Sequence, residues 1–468
     1  MFTIRAHGIP HLAKDEAGTS LSAAQERLIH EDRPIRICGA PTGAGKTFAF
    51  LQAARKGKTV LFIVPTQALA RDIEMGAIRQ GIPVHRWDGA QSRALREQGL
   101  EPWEERKRQW DGVAGSGGMV VTTPETLGAV LLGDPRWRRV PLDAFDVLHA
   151  GHVVFDEAHT LGARALGFLH CWAMLAVYWH RQDPQRGFKL TLLSATHSNL
   201  FHALWNDGAD GGSAVPIDAV ACFDEQVENG HREGLRMLHG DVRVETVAGD
   251  ILECVDRHAA APLKRGERLL ILYDSLRALA DQERQLQQRL AGFGVDPRDC
   301  FLVTGQDRKG GGLSLGGTGF EAGLCPEDRH RVVIATSCIE AGVNLDGLRH
   351  AILDPGLDAA SLLQRIGRVA RKGQAGQAWI ATPERRRQHE LKLAELAGDL
   401  AIDEVRERLA PLRAAGRQSR CEGRGDSRAR RSERLGQDDI DQRDQRALSR
   451  RPRRGAVGRP PGAGTDGA

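Results

Sequence analysis

The stretch Gly39-Ala40-Pro41-Thr42-Gly43-Ala44-Gly45-Lys46-Thr47 decides the fold that this sequence predicts. It follows the apolar run 35–38, which is typical of a buried strand, and precedes residues 47–54, which are typical of a helix. Its two later glycines allow positive φ, so that successive N–H groups can surround an anion in front of the helix N-terminus. A strand, a glycine-rich loop and a helix in this order indicate an α/β fold that binds a polyphosphate.

The residues of this loop have distinct expected roles. Lys46 is expected to reach the outer phosphates, and the Thr47 hydroxyl to ligate magnesium. Ala40 stands where the strict motif has glycine, and it keeps a small side chain there. The residues expected to line the phosphates are Ala40, Pro41, Thr42, Gly43, Ala44, Gly45, Lys46 and Thr47.

A second apolar run ends in two carboxylates about 110 residues later. It reads Val153-Val154-Phe155-Asp156-Glu157-Ala158-His159, and its β-branched and aromatic residues predict a buried parallel strand. Carboxylates at the end of such a strand face the crevice in which α/β folds bind ligands. We expect Asp156 to hold Mg²⁺ and Glu157 to polarise the attacking water.

The second half of the chain supplies cationic partners for the phosphates. The run Ser361-Leu362-Leu363-Gln364-Arg365-Ile366-Gly367-Arg368-Val369-Ala370-Arg371 predicts a helix on which Gln364, Arg368 and Arg371 share one face. One amide and two guanidiniums suit a phosphoryl group in its transition state, the arginine-finger role. The catalytic residues predicted from the sequence are Lys46, Asp156, Glu157, Gln364, Arg368 and Arg371.

These motifs, in this order from about residue 20 to about 380, resemble a superfamily 2 DExH-box helicase with two RecA-like domains. The resemblance implies ATP in the cleft between the domains, with Gln25 reading adenine and Gly342 and Asp346 near the nucleotide. Segments that resemble further helicase motifs are 65–69, 122–126, 193–196, 270–275 and 303–305. They imply nucleic-acid contacts by Pro65, Thr66, Thr123, Thr304 and Thr336, and coupling of hydrolysis to strand movement by His159, Ser194 and Thr196.

Within that superfamily, residues 340–346 and 361–371 are similar to the CRISPR-associated helicase of type I interference systems. The resemblance implies single-stranded or partly duplex DNA as partner and recruitment by a guide-RNA complex. The chain departs from that subfamily because the sequence contains no adjacent His-Asp pair of an HD nuclease. We therefore expect the nuclease to be separate or lost.

Three alternatives remain open from the sequence. The first is an RNA helicase of the same superfamily, and the second is a DNA translocase that does not separate strands. The third belongs to a different class, an inactive remnant that binds nucleic acid and hydrolyses nothing. The intact set of motifs argues against the third alternative, and the unusual C-terminal composition argues for it.

From the composition we expect a cytoplasmic protein without a transmembrane helix. Of its 468 residues 41% are hydrophobic, enough for sizeable cores, and no run of about 18 apolar residues occurs. The N-terminus lacks the pattern of a secretory signal. None of the eight cysteines forms a CxxC pair, which argues against a zinc ribbon and fits a reducing compartment.

The net charge of +4 is concentrated at one end of the chain. From Arg417 onwards there are fourteen arginines and eight acidic residues, so the preceding residues carry a net charge of about −2. Nucleic-acid binding therefore has to come from local groups at strand ends and helix N-termini. The tail has few aliphatic residues, and we expect either a disordered basic arm or an out-of-frame product after about residue 415.

The predicted architecture is α/β, with two RecA-like domains that each have a mostly parallel sheet and helices on both faces. The predicted segments are an N-terminal lead-in (1–20), a first, ATP-binding domain (21–207), a linker with a strand (208–262), a second domain (263–383), a helical extension (384–414) and a disordered tail (415–468).

Two aromatic groups allow more than one interpretation. Trp103 and Trp110 fit base stacking, but such tryptophans more often pack a surface helix, which is the interpretation we favour. Histidines 149, 152, 197 and 202 lack the close spacing of a zinc site and are interpreted as structural.

Overall fold

A computed structural model gives the structure of the chain. Residues Met1–Ala410 form one compact unit. The structure describes residues 1–10, 20–41, 43–132, 150–158, 161, 163–184, 187–194, 215–303, 320–323, 326–339, 345, 347–356, 359–384 and 387–409.

Strands are numbered along the chain. They are β1 (Phe2–Ile4), β2 (His7–Pro10), β3 (Ile35–Gly39), β4 (Thr59–Ile63), β5 (Val84–Trp87), β6 (Gly118–Thr122), β7 (His152–Phe155), β8 (Lys189–Ser194), β9 (Val220–Asp224), β10 (Glu228–Asn229), β11 (Leu235–His239), β12 (Val242–Ala248), β13 (Arg268–Tyr273), β14 (Cys300–Val303), β15 (Glu321–Gly323), β16 (Val332–Thr336), β17 (Leu348–Leu353), β18 (Gly376–Thr382) and β19 (Gly398–Leu400).

Helices are numbered in the same way. They are α1 (Ala23–His30), α2 (Lys46–Arg55), α3 (Gln67–Arg79), α4 (Gly89–Glu97), α5 (Pro102–Ser116), α6 (Pro124–Leu132), α7 (Ala163–Gln182), α8 (Ile251–His258), α9 (Ala260–Lys264), α10 (Leu276–Gly292), α11 (Ala359–Ile366), α12 (Arg387–Ala394) and α13 (Ile402–Leu409).

The first large sheet has the strand order β5-β6-β4-β7-β8-β3-β9, and every neighbouring pair is parallel. Alternate residues of its strands enter two hydrophobic clusters, one with α5 and α7 and the other with α1, α2 and α3. Burial on both faces explains why these strands are nearly continuous apolar runs. Parallel pairing also brings the carboxyl ends of β3, β4, β6, β7 and β8 to one edge of the sheet.

The second large sheet has the order β15-β14-β16-β13-β17-β18-β12-β1-β19. Its pairs are parallel except that β1 runs antiparallel to β12. Tyr273, Val303, Thr336 and Leu353 therefore end their strands at the same edge. The predicted fold class, two parallel-sheet α/β domains, is confirmed.

Both sheets take strands from segments that the sequence assigns to a lead-in and a linker. The N-terminal strand β1 extends the second sheet, whereas β9, from the predicted linker 208–262, pairs with β3 of the first. Strands β10, β2 and β11 form a small antiparallel sheet of their own. Short strands of three to five residues carry too weak a period to be assigned to a sheet from sequence.

Tryptophans of α5 belong to the core of the first domain. Trp103 and Trp110 are only 9% and 2% exposed, and the Trp110 ring lies 6.0 Å from that of Trp87. The packing interpretation of the two residues is thus confirmed, and base stacking by them is excluded. None of the described helices has the length and apolarity needed to cross a membrane.

Arg36 and His152 form a buried pair towards the amino ends of β3 and β7 in the first sheet. Arg36 Nη2 donates to His152 Nδ1 at 2.8 Å, and Nη1 donates to the Leu28 carbonyl at the end of α1. Burial, together with the Arg36 charge, holds the pKa of His152 well below 6.5. His152 therefore stays neutral in the fold, as the structural interpretation of this histidine requires.

This pair predicts a pH dependence of stability. The unfolded chain binds a proton at His152 near pH 6.5 and the folded chain does not, so the free energy of unfolding falls as pH drops below that value. The contribution is up to about 1.4 kcal/mol per pH unit. His152→Gln keeps a hydrogen-bond acceptor and should reduce this slope, measured by denaturant titration between pH 7 and 5.

The exposed His231 supplies the control, since His231→Gln should leave the slope unchanged. A His152→Gln slope equal to that of the wild type contradicts the assignment.

Candidate nucleotide site and nucleic-acid edge

The phosphate loop (residues 39–47) leaves β3 at the carboxyl edge of the first sheet. The Ala40 N–H donates to the Ser194 carbonyl at 2.9 Å, which ties the loop to the end of β8. Gly43 and Gly45 have φ of 89° and 79°, and Gly45 is the N-cap of α2. Gly43 and Gly45 thus have the positive φ expected of a phosphate-binding turn.

Lys46 begins α2 with its side chain folded back over the loop. Its Nζ donates to the Ala40 carbonyl at 2.9 Å and lies 3.9 Å from Glu157 Oε1. Both side chains of this ion pair are 8% exposed. The structure therefore brings together two of the predicted catalytic residues from separate strand ends.

The acid pair follows β7. The Asp156 N–H donates to the Ile63 carbonyl of β4, and the Glu157 N–H donates to Asp156 Oδ1, both at 2.9 Å. Glu157 has a φ of 48°, a left-handed conformation that costs roughly 1–3 kcal/mol for a residue with a side chain. Backbone strain of this kind is concentrated at functional sites, which supports the assignment of Glu157.

Electrostatics at the acid pair favour a cation. Burial and the Glu157 charge raise the pKa of Asp156 to about 7, and Lys46 offsets only part of that effect. A divalent ion needs only one or two carboxylates when nucleotide oxygens complete its shell. Asp156, with the half-buried Thr47 hydroxyl of α2, fits Mg²⁺ on this chemistry.

Gln25 supports the loop from α1. Its Nε2 donates to the carbonyls of Ala44 and Gly45 at 3.1 and 2.9 Å, and its Oε1 accepts from the Ser22 N–H at 2.9 Å. Ser22 and Gln25 form the capping box that starts the helix. The Gln25 amide is thus engaged by backbone, and its reading of adenine stays a prediction.

Arg236 is a member of the site that sequence reasoning missed. It lies on β11, in the predicted linker, and its guanidinium donates to the Ala44 carbonyl beside Gln25. Burial lowers the pKa of Arg236, and the Glu225 charge opposes this. Glu225 accepts from Ser22 Oγ at 2.5 Å, and its N–H donates to Gly39. No motif marks this arginine, because only the fold brings it to the loop.

The predicted helix that carries Gln364, Arg368 and Arg371 on one face is wrong in its extent. Helix α11 ends at Ile366, and the Arg368 and Val369 N–H groups close tight turns onto Arg365 and Ile366. Ala370 then adopts a φ of 60°. Gln364 therefore lies on the helix, whereas both arginines lie in the following arginine turn (residues 367–373), where Arg368 is 1% exposed.

Arg365 holds this segment to the second sheet. It forms a buried ion pair with Asp274 after β13 and donates to the Asp354 carbonyl at 2.6 Å. Asp274 also accepts from the Gly356 N–H at 3.1 Å. The sequence analysis did not single out Arg365. Two features could have pointed to it: it follows Gln364 directly, and a possible partner carboxylate, Asp274, follows a predicted strand.

The predicted nucleic-acid contacts that the structure describes lie at ends of parallel strands. Pro65 and Thr66 follow β4, and Thr66 Oγ1 caps α3 by accepting from the Leu69 N–H at 3.2 Å. Thr123 follows β6 before α6, and Thr336 ends β16. Helix N-termini of this kind are suited to phosphate, so these contacts stay predictions with a physical basis.

Several predicted residues fall outside the part of the chain that the structure describes. Ser194 is described at the end of β8, but its coupling partners are not, and its role stays a prediction. The predicted site residues outside the described ranges are Thr42, His159, Thr196, Thr304, Gly342 and Asp346. His149, His197 and His202, interpreted as structural, lie outside these ranges as well.

Family comparisons agree with this geometry. The DEAD/DEAH box helicase model matches residues 22–202, and the helicase conserved C-terminal domain model matches residues 320–373. No curated protein matches the chain by sequence. The two models together match about half of the chain, so it carries a DEAD/DEAH box helicase domain and, after it, a helicase C-terminal domain.

Solved helicase structures share the fold. The DUF1998 helicase MrfA bound to DNA and AMPPNP has a TM-score of 0.57 and 17% identity, over 85% of this chain and 56% of that one. Mss116p bound to ssRNA and AMP-PNP has a TM-score of 0.54 and 16% identity, over 83% and 76%. Dbp5 of S. cerevisiae bound to RNA and ADP BeF3 has 0.51 and 17%, over 84% and 93%. The chain spans about half the length of MrfA.

Gly45→Ala tests the loop. Alanine at this φ costs about 1–2 kcal/mol of stability, and its Cβ would lie 2.6 Å from Gln25 Nε2 and 3.1 Å from Arg236 Nη1. We expect binding of a fluorescent ATP analogue to weaken by at least ~10-fold because the loop must shift.

Gly57→Ala is the matched control, with a φ of 82° and no neighbouring atom within 4 Å. It should lose similar stability and bind the analogue normally. Equal affinities of the two variants contradict the loop assignment.

Proposed function

We propose that the protein is an ATP-dependent translocase or helicase that acts on DNA. The observation that carries this proposal is the meeting of Lys46 with Glu157, 3.9 Å apart, at the carboxyl edge of a parallel sheet. In that position one lysine and one acid pair serve the phosphates and the water of the same nucleotide.

The residues of the first domain divide the chemistry among them. Loop N–H groups and Lys46 bind the phosphates, and Asp156 and Thr47 would hold Mg²⁺, which would neutralise charge on the phosphate oxygens. Glu157 orients and polarises the attacking water. Its carboxylate lies 3.9 Å from the Lys46 ammonium, an ion pair that positions it before the nucleotide arrives.

The second domain supplies the stabilisation of the transition state. Arg368 and Arg371 bring positive charge next to the transferring phosphoryl group, a role that raises the rate of hydrolysis roughly 10³–10⁵-fold for such arginines. They belong to a turn that Arg365 fastens to the second sheet. Hydrolysis then requires both domains, which links it to movement of a bound strand.

The nucleic acid crosses the carboxyl edges of both sheets in this proposal. Thr66, Thr123 and Thr336 lie there, two of them at helix N-termini. Because the body carries a net charge of about −2, these local contacts must provide the affinity. The motif resemblance and the DNA-bound MrfA fold favour DNA as the polymer. The RNA-bound folds of Mss116p and Dbp5 favour the alternative, RNA.

A narrower proposal concerns the biological process. Residues 340–346 and 361–371 resemble the CRISPR-associated helicase, which supports a role in type I interference, with a guide-RNA complex as recruiting partner and an HD nuclease supplied by another protein. The neighbouring genes test it. A repeat array and a guide-complex operon support this role, and their absence removes it.

Lys46→Ala tests the proposed activity. The substitution removes the ammonium that contacts the phosphates, so we expect ATP turnover to fall by at least ~100-fold while the protein stays folded. Lys56→Ala, at the exposed end of the same helix, is the control and should keep wild-type turnover. A Lys46→Ala protein with wild-type ATPase activity contradicts the assignment.

The same assay separates the candidate polymers. Turnover is measured with single-stranded DNA and with single-stranded RNA of one sequence, followed by strand separation on a partly duplex DNA. Stronger stimulation by RNA overturns the DNA assignment in favour of an RNA helicase. Stimulation by DNA without strand separation identifies a translocase, and absence of turnover identifies an inactive remnant.

A further inference from the structure

Strand β11 contacts the phosphate loop and the arginine turn at the same time. It belongs to the small sheet of β10, β2 and β11, and along the chain it follows β9 of the first large sheet and precedes β12 of the second. Its contacts alternate along the chain. Arg236 and Leu238 side chains meet the phosphate loop, and those of Met237 and His239 meet the arginine turn.

On the phosphate side, the strand holds the loop's carbonyl groups. Arg236 donates to the Ala44 carbonyl, and its Nη1 lies 3.1 Å from the position that a Gly45 Cβ would occupy. Leu238 is buried in the same hydrophobic cluster as Ala40 and Ala44. Held by their carbonyls, these peptides keep their N–H groups directed at an anion.

On the arginine side, the strand holds the turn by side chain and backbone. His239 Nδ1 lies 3.0 Å from the Val369 carbonyl, and His239 pairs with Arg371 in an antiparallel bridge. The Lys372 N–H donates to the Leu238 carbonyl at 3.1 Å, and the Gly240 N–H donates to Ala370 at 2.8 Å.

The contacts around the strand leave little room for adjustment. Any Cβ at Gly240 would lie 2.1 Å from the Gln374 carbonyl, and one at Gly373 would lie 3.0 Å from Met237 Cβ. Pairing with β2 includes a bulge at Leu238, the residue whose side chain and carbonyl face different loops. Bulges of this kind re-aim side chains next to functional sites.

We propose that β11 is a rigid link that sets the position of the arginine turn relative to the phosphate loop, with Arg236 and His239 as its two positioning residues. This inference rests on the proposed function, since the arginine turn matters only if it serves the nucleotide. Neither residue is assigned to touch the phosphates. Each acts through a backbone carbonyl of one loop.

Hydrogen exchange tests the link without nucleotide. In Arg236→Met, loss of the anchor on the phosphate loop should loosen the strand, so the Lys372 amide should exchange about tenfold faster although Arg236 does not touch it. Arg232→Met, at an exposed arginine of the same segment, should leave that exchange unchanged. Unchanged exchange in Arg236→Met overturns the link.

Steady-state kinetics test whether the link between the two loops affects catalysis. Arg236→Met should raise KM for ATP and lower kcat about tenfold, whereas His239→Gln should lower kcat about tenfold with little change in KM. The double variant should have the kcat of a single variant, because the loss of either anchor already uncouples the arginine turn from the phosphate loop. Arg236→Lys keeps the charge and a donor and should recover much of the KM. A hundredfold loss of kcat in the double variant overturns the proposal.

Two further results separate the possible failures. A wild-type protein without ATP turnover refutes the proposed function, while the exchange experiment still decides whether the link exists. Should His239→Gln not fold, Met237→Ala replaces it, since Met237 contacts the turn at Gly373 and is half-buried. The double variant then combines Arg236→Met with Met237→Ala, and its kcat is compared with those of the two single variants.

Discussion

The ammonium of Lys46 holds the candidate site together. It donates to the loop at Ala40 and pairs with Glu157, so that the loop after β3 and the acid pair after β7 share one buried cation. Burial of two adjacent carboxylates is costly, and the raised pKa of Asp156 shows that a single lysine does not offset it. The site is therefore preorganised for additional positive charge, which Mg²⁺ and the arginine turn supply in the proposed mechanism.

The second domain is connected to this site through the arginine turn and β11. Arg365 fastens α11 and the arginine turn to the carboxyl edge of the second sheet, and β11 joins that turn to the phosphate loop. The N-terminal strand β1 adds to the second sheet, and β2 pairs with β11. Segments outside the two motif-bearing regions thus build the connection between them.

The sequence predicted the parts of the structure that rest on local pattern. The loop, the acid pair and the apolar strands were predictable because each consists of a few neighbouring residues with a distinctive composition. The end of α11 was not, because Gly367 and the left-handed Ala370 break a helix that side-chain spacing alone would continue. Arg236 was missed because its contact with Ala44 spans 192 positions. The double engagement of the Gln25 amide likewise depends on tertiary contacts that no motif shows.

Action of both domains on one nucleotide is tested by comparing the affinities of the Arg368→Lys protein for two ligands. Lysine keeps the charge and loses the planar fork of the guanidinium, which matters most when charge spreads over the transferring phosphoryl group. If both domains act on one nucleotide, the affinity of Arg368→Lys for ADP with aluminium fluoride, a mimic of the transition state, should fall by about 100-fold or more, and its affinity for ATP by less than about threefold. Equal losses for the two ligands, or no loss for either, would contradict it.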